Sequence, residues 1–174
     1  MRSPFRQGVP AQQVLLPADD QGRVPAWLVL GMFPNMEGCT PSLPALIDEA
    51  NAAPYTGKCE AGRDWQEYHG ITTACPVPNP LGPCSLVGVD LKCFFSNNQR
   101  TWGLPDNVRG YAFVYVHSPD ARTAQIRYSS DDGSFVSLNG ALVFDGQREC
   151  HCYGHEHIAP VNLAAGVNRT SPET

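Results

Sequence analysis

The chain has 174 residues, 42% of them apolar and 17% charged, with a net charge of −5. That suffices for one domain with a real core and falls short of two. The acidic balance argues against a nucleic-acid partner, and no run approaches the length of a membrane span.

Residues 1–25 are polar and punctuated by proline, with one short apolar run at Val14-Leu15-Leu16. They read as an N-terminal arm or edge strand ahead of a single domain over 26–174. No apolar segment follows Met1-Arg-Ser-Pro-Phe-Arg6, so no signal peptide is expected there. Trp27–Leu30 reads as a buried strand stopped by Gly31–Asn35. Residues 36–64 look irregular, with a short helix at Pro44–Ala50. Trp65–Tyr68 is a further strand. Residues 70–88 form a loop rich in Pro, Gly and Cys, and Val89–Phe95 reads as a partly alternating strand.

The second half alternates more clearly. Gly110–His117 is rich in aromatic and β-branched residues and is a strong strand. Ser118-Pro119-Asp120 turns, and Thr123–Tyr128 alternates. Asp132-Gly133 turns again, and Phe135–Leu138 and Ala141–Phe144 flank Asn139-Gly140, the strongest short hairpin signal in the chain. Ile158–Leu163 is a last strand, with Ala165-Gly166 turning out of it. Sixteen glycines and sixteen prolines, with short strands at regular spacing, predict an all-β antiparallel sandwich.

Seven cysteines (39, 59, 75, 84, 93, 150 and 152) without tandem C-x-x-C pairs suit a disulfide framework in an oxidising compartment. Cys75 and Cys84 are the favoured pair, closing a small loop. Cys39, Cys59, Cys150 and Cys152 are further candidates of open connectivity. Cys150 and Cys152 are too close in sequence to bond each other comfortably. An odd count leaves one thiol free or shared between chains.

Several short motifs, in order, resemble a bacterial secreted β-sandwich module. They are Trp27-Leu-Val-Leu-Gly-Met-Phe-Pro-Asn35, Asp48-Glu49-Ala50, Gly57-Lys58 before Trp65, Val89-Asp90-Leu91 and Tyr111-Ala112-Phe113-Val114-Tyr115-Val116. Ser130-Asp131-Asp132-Gly133 with Leu138-Asn139-Gly140, and Val161–Asn168, complete the set. The family is galactose-binding-like, and the Ser-Asp-Asp-Gly…Asn-Gly pattern is also similar to PA14-like lectin domains. The resemblance covers roughly 26–168. It implies a jelly-roll sandwich with long loops and carbohydrate binding, with calcium as a candidate cofactor at the paired aspartates. It also implies one more apolar strand after Asn168. Arg169–Thr174 does not read as that strand, so an open sheet edge is expected. The cysteines and Cys150–His157 lie outside the family pattern.

The ligand-binding candidates are Trp65, Trp102, Asp131, Asp132 and Asn139. Aromatic rings stack on the C–H faces of sugars, although Trp65, Tyr68, Trp102 and Tyr111 equally suit a sandwich core; of these Trp102, in its Gln-Arg-Thr-Trp-Gly-Leu-Pro loop, is the one expected to be exposed. Asp131 and Asp132 could supply two of the about six to eight oxygen ligands that calcium takes; each aspartate could instead cap its own turn. His151, His155 and His157, beside Cys150, Cys152 and Glu156, form the densest transition-metal-capable cluster. Asn168-Arg169-Thr170 is an N-glycosylation triplet. With no Gly-x-Ser-x-Gly elbow and no P-loop, no catalytic residues are expected.

Three functions follow in order. The first is a non-catalytic extracellular or cell-surface module that binds a glycan or surface polysaccharide. The second is a self-assembling subunit of a fibre or coat, with Gln12–Leu16 completing a sheet of another copy. The third is a small His/Cys metalloprotein.

Overall fold

The structure is a computed structural model, and it describes residues 17–18, 22, 24–34, 46–49, 51–69, 72–74, 85–87, 91–95, 108–128, 133–146 and 157–173. The described strands are all antiparallel. In chain order they are β1 (Ala26–Pro34), β2 (Cys59–Glu60), β3 (Arg63–Asp64), β4 (Gln66–His69), β5 (Thr72–Ala74), β6 (Ser85–Val87), β7 (Val108–Ser118), β8 (Arg122–Tyr128), β9 (Phe135–Leu138), β10 (Ala141–Asp145), β11 (His157–Leu163) and β12 (Gly166–Glu173). One helical turn, α1 (Leu91–Phe95), lies between β6 and β7. The main sheet has the order β10-β9-β12-β7-β1-β4. The pairs β11-β8, β2-β3 and β5-β6 are separate two-stranded sheets.

β1 and β7 are interior strands, and both carry near-continuous apolar runs because both of their faces are covered. On one face Leu28, Leu30, Tyr111 and Phe113 pack with Ile47, Ala52 and Trp65 of the 46–65 segment. On the other, Val29 and Ala112 pack with Tyr68, and Leu91, Phe94 and Phe95 of α1 lie against them. Phe33 and Trp65 meet Tyr111 and Phe113 edge-on, at centroid distances of 6.1 and 6.3 Å. Burial on this scale, at about 25 cal/mol per Å² of apolar area, is the main force holding the sheet.

Four expectations are corrected. Val89–Phe95 was expected to be a strand, but residues 91–95 are helical. Leu91, Phe94 and Phe95 have i, i+3, i+4 spacing, which puts all three on one helix face against the sheet. Residues 46–49 and 51 form a turn rather than part of a helix: Asn51 N–H donates to the Asp48 carbonyl and to its side chain, both at 3.2 Å. Gly31 does not stop β1. The strand runs on to Pro34 through a register shift between Leu30 and Phe33. Gly31, at φ +155°, lies so close to β7 that a Cβ would sit 3.3 Å from Arg109 O and Gly110 Cα.

The fourth correction concerns the chain's last described segment. Residues 166–173 are a strand, and it is interior, paired with β7 on one side and β9 on the other. Its inward side chains include Asn168 and Thr170, both buried and polar, so it lacks the apolar alternation that marks a strand in sequence. Pro172 has no N–H to give, and the pairing with β7 passes from Thr170 to Glu173 without partners at 171 and 172.

The ribbon β7–β12 continues beyond the sheet as β8–β11. Gly166 pairs with Ser118, and Leu163 with Arg122. Between these pairs both strands bend out of the main sheet. Ser118 Oγ donates to Asp120 O at 2.7 Å on one side of the bend. The Asn168 amide holds the other side, accepting from Ala164 N and donating to Ala164 O, each at 2.9 Å.

Candidate functional site

The β2–β3 hairpin turns through Ala61 and Gly62, at φ +48° and +75°. Positive φ at both central residues is what a two-residue hairpin loop demands, and for alanine it is strained. The hairpin is anchored through Trp65. Its ring is buried, its indole N–H donates to Glu60 Oε2 at 2.9 Å, and its backbone N donates to Lys58 O at 2.9 Å. Lys58 Nζ meets the same Glu60 oxygen at 3.1 Å.

Arg63 and Asp64 of β3 and Gln66 of β4 are among the residues that line a cleft of about 460 Å³. Gly62 joins them, and Gly31, Met32 and Phe95 also line it, bringing apolar atoms to a mainly polar cleft. Arg63, Asp64 and Gln66 are all exposed. Planar guanidinium, carboxylate and amide groups beside an apolar surface can orient and hold a polyhydroxylated ligand, since each presents paired donors or acceptors.

The residues singled out from sequence fall differently. Trp65 is core, 1% exposed, and packs beneath the hairpin instead of offering a stacking face. Tyr68 and Tyr111 are likewise core. Asn139, at φ +52° in the β9–β10 turn, is bound to β12: its Nδ2 donates to Asn168 Oδ1 and its Oδ1 accepts from Arg169 N at 2.9 Å. Asn168 is fully buried, so the glycosylation triplet holds an internal amide rather than a surface one. Cys59, expected in a disulfide, is a free exposed thiol on β2, opposite Asp64 in the ladder.

His157 heads β11 opposite Tyr128, and its side chain lies outside the described residues. So do Trp102, Asp131, Asp132, His151, His155, Cys39, Cys75, Cys84, Cys150 and Cys152. Among the described residues no three metal-capable side chains converge, and no helix is long and apolar enough to cross a membrane. Arg63, Asp64 and Gln66 went unremarked in the sequence. The available signal was the Ala61-Gly62 turn between two short polar pairs, next to a tryptophan.

The described fold is that of an all-β protein built on antiparallel sheets. No family model matches the chain, and no curated protein matches it. Among solved structures, the Faecalibacterium prausnitzii beta-glucuronidase aligns at a TM-score of 0.46 and 15% identity, over 85% of this chain and 19% of that one. The chain thus spans about a fifth of that protein's length.

Proposed function

We propose that this chain is a non-catalytic, extracellular carbohydrate-binding module with a galactose-binding-like jelly-roll sandwich. The observation that carries the reading is the cleft at Arg63, Asp64 and Gln66. It combines exposed planar polar groups with an apolar side, on a hairpin pinned to the core by Trp65. Burial along β11 supports a second layer: Ala159 and Val161 are buried while Ile158, Pro160 and Asn162 are exposed. Calcium at Asp131 and Asp132 belongs to the same proposal.

Glycan-array screening followed by calorimetry, with and without calcium, tests it. Asp64→Ala and Gln66→Ala should each weaken the best glycan by about tenfold or more, the scale of one lost charge-assisted or paired hydrogen bond. No glycan bound in either condition would sink the reading. The fibre reading rests on an edge left open by a missing last strand, on the apolar arm at Gln12–Leu16 and on an odd cysteine. β12 supplies that strand inside the sheet, so the first support is withdrawn. The arm residues 12–16 lie outside the described residues.

A further inference from the structure

The cleft lined by Arg63, Asp64 and Gln66 opens where two strand pairings part. The last β1–β4 pair is Val29 opposite Gln66. Beyond it β3 pairs with β2, and the pairing of β1 with β7 passes from Leu30 to Phe33. Gly31 and Met32 therefore stand outside both registers, and both line the cleft. A register irregularity of this kind bends a strand and re-aims its side chains. Here it brings Met32 to the cleft beside Phe95, whose ring lies against Gly31: a Cβ there would stand 3.5 Å from Phe95 Cε2. One end of the cleft is thus apolar.

The polar groups are free to meet a ligand. Asp64 and Gln66 flank Trp65, and the alternation that buries Trp65 turns both of them the opposite way, to solvent. Arg63 is exposed beside them. Among the described residues, no side-chain hydrogen bond or ion pair occupies Arg63, Asp64 or Gln66. One cation and one anion on adjacent residues offset each other, so charge alone selects neither an acidic nor a basic sugar. The cleft offers instead a carboxylate acceptor, a guanidinium donor, an amide that both donates and accepts, and an apolar surface.

We infer that the cleft selects a 2-acetamido sugar; this rests on the carbohydrate-binding reading above and names its ligand class. An acetamide is a planar amide joined to a methyl group. Its N–H is a donor for the Asp64 carboxylate, and its carbonyl accepts from Gln66 or Arg63. Its methyl group has the apolar surface of Met32 and Phe95 to rest on. A plain hexose has hydroxyls for the polar groups and nothing for the apolar end. A 6-deoxy sugar carries a methyl group without the amide. The cleft, at about 460 Å³, falls in the lower part of the range of about 300–1,000 Å³ for ligand pockets, which suits a mono- or disaccharide.

The methyl β-glycosides of N-acetylglucosamine and N-acetylgalactosamine are the probes. Each is compared with its parent glucoside or galactoside, which differs only in a hydroxyl at C2. N-acetylalanine methylamide presents the amide without a sugar. Binding is read by amide shifts in ¹⁵N-labelled protein. At least one acetamido sugar should bind about tenfold or more tightly than its parent, since a site built to pair a polar group rejects the analogue lacking it. The shifts should centre on residues 31–32 and 62–66. Gln66→Ala should bring the ratio between acetamido sugar and parent towards one. If that variant does not fold, Asp64→Asn takes its place. Equal binding of sugar and parent, equal binding of the methylamide, shifts away from the cleft, or an unchanged ratio in the variant would each overturn the inference. A parent sugar bound in the cleft without preference leaves the carbohydrate reading standing, whereas no glycan bound at all sinks both.

Discussion

Asn139 Nδ2 donates a 3.0 Å hydrogen bond to Asn168 Oδ1, tying the β9–β10 turn to the corner where β11 becomes β12. Asn168 in turn closes the Ala164 backbone on both its N–H and its C=O. Asn168→Ala removes this fully buried amide and its bonds to Ala164 and Asn139. The expected loss is roughly 2–3 kcal/mol, the sum of a few hydrogen bonds worth about 1 kcal/mol net each, read as a lower urea midpoint at unchanged m-value.

At Asn139 two effects separate by substitution. The residue sits at φ +52°, where a plain L side chain costs about 1–2 kcal/mol. Asn139→Gly removes the side-chain bonds to Asn168 and Arg169 but keeps the backbone bond to Arg169 O and the allowed backbone. Asn139→Ala loses the bonds and adds strain. Ala should therefore unfold earlier than Gly by about 1 kcal/mol; equal stabilities would remove strain from the account.

Ala61 makes the opposite case. Its side chain gains nothing from φ +48°. Ala61→Gly should stabilise by roughly 0.5–1 kcal/mol once the extra chain entropy of glycine is set against the relieved strain. Chemical denaturation measures it, and glycan affinity at the cleft should hold.

Trp65 is a core residue with one polar tether. Trp65→Ala should cost about 3–5 kcal/mol. Trp65→Phe should keep most of the ring packing while freeing Glu60 from the indole N–H. Denaturation curves of the two variants, compared with the parent, separate ring burial from the hydrogen bond.

The Asp120–Arg122 pair gives a pH signature. The side-chain hydrogen bond from Arg122, with Nη2 at 2.6 Å, holds the Asp120 carboxyl below its ordinary pKa. Its contribution is therefore present above the unfolded carboxylate pKa and lost as pH falls through the lower folded value. Carbon-detected NMR titration should place Asp120 below ordinary aspartate, and Arg122→Ala should bring it back up.

Cys59 offers a chemical check on the disulfide framework. A free, exposed thiol should take up a maleimide in native buffer without reductant. Peptide mapping that finds Cys59 unlabelled and cross-linked would contradict the structure.

The strands from β7 to β11 were readable within a residue or two because their signals are local. Alternation, β-branched residues and turns such as Asn139-Gly140 act over a few positions. α1 and β12 were not, for a tertiary reason. Leu91, Phe94 and Phe95 fit a short strand as well as a helix face until the sheet they cover is known. β12 borrows its apolar surroundings from β7 and β9 and places amide and hydroxyl groups inside. The candidate site followed the same rule. Trp65 lies beneath the hairpin, whereas Arg63, Asp64 and Gln66 are ordinary surface residues until the hairpin brings them to the edge of one cleft.

The interior position of β12 also sets a timetable. A ribosome releases β7 and β9 before residues 166–173, yet these two strands adjoin only through β12. Until residue 173 clears the exit tunnel, the nascent chain carries two half-sheets with unpaired inner edges. The main sheet closes only once its latest described strand slots between them.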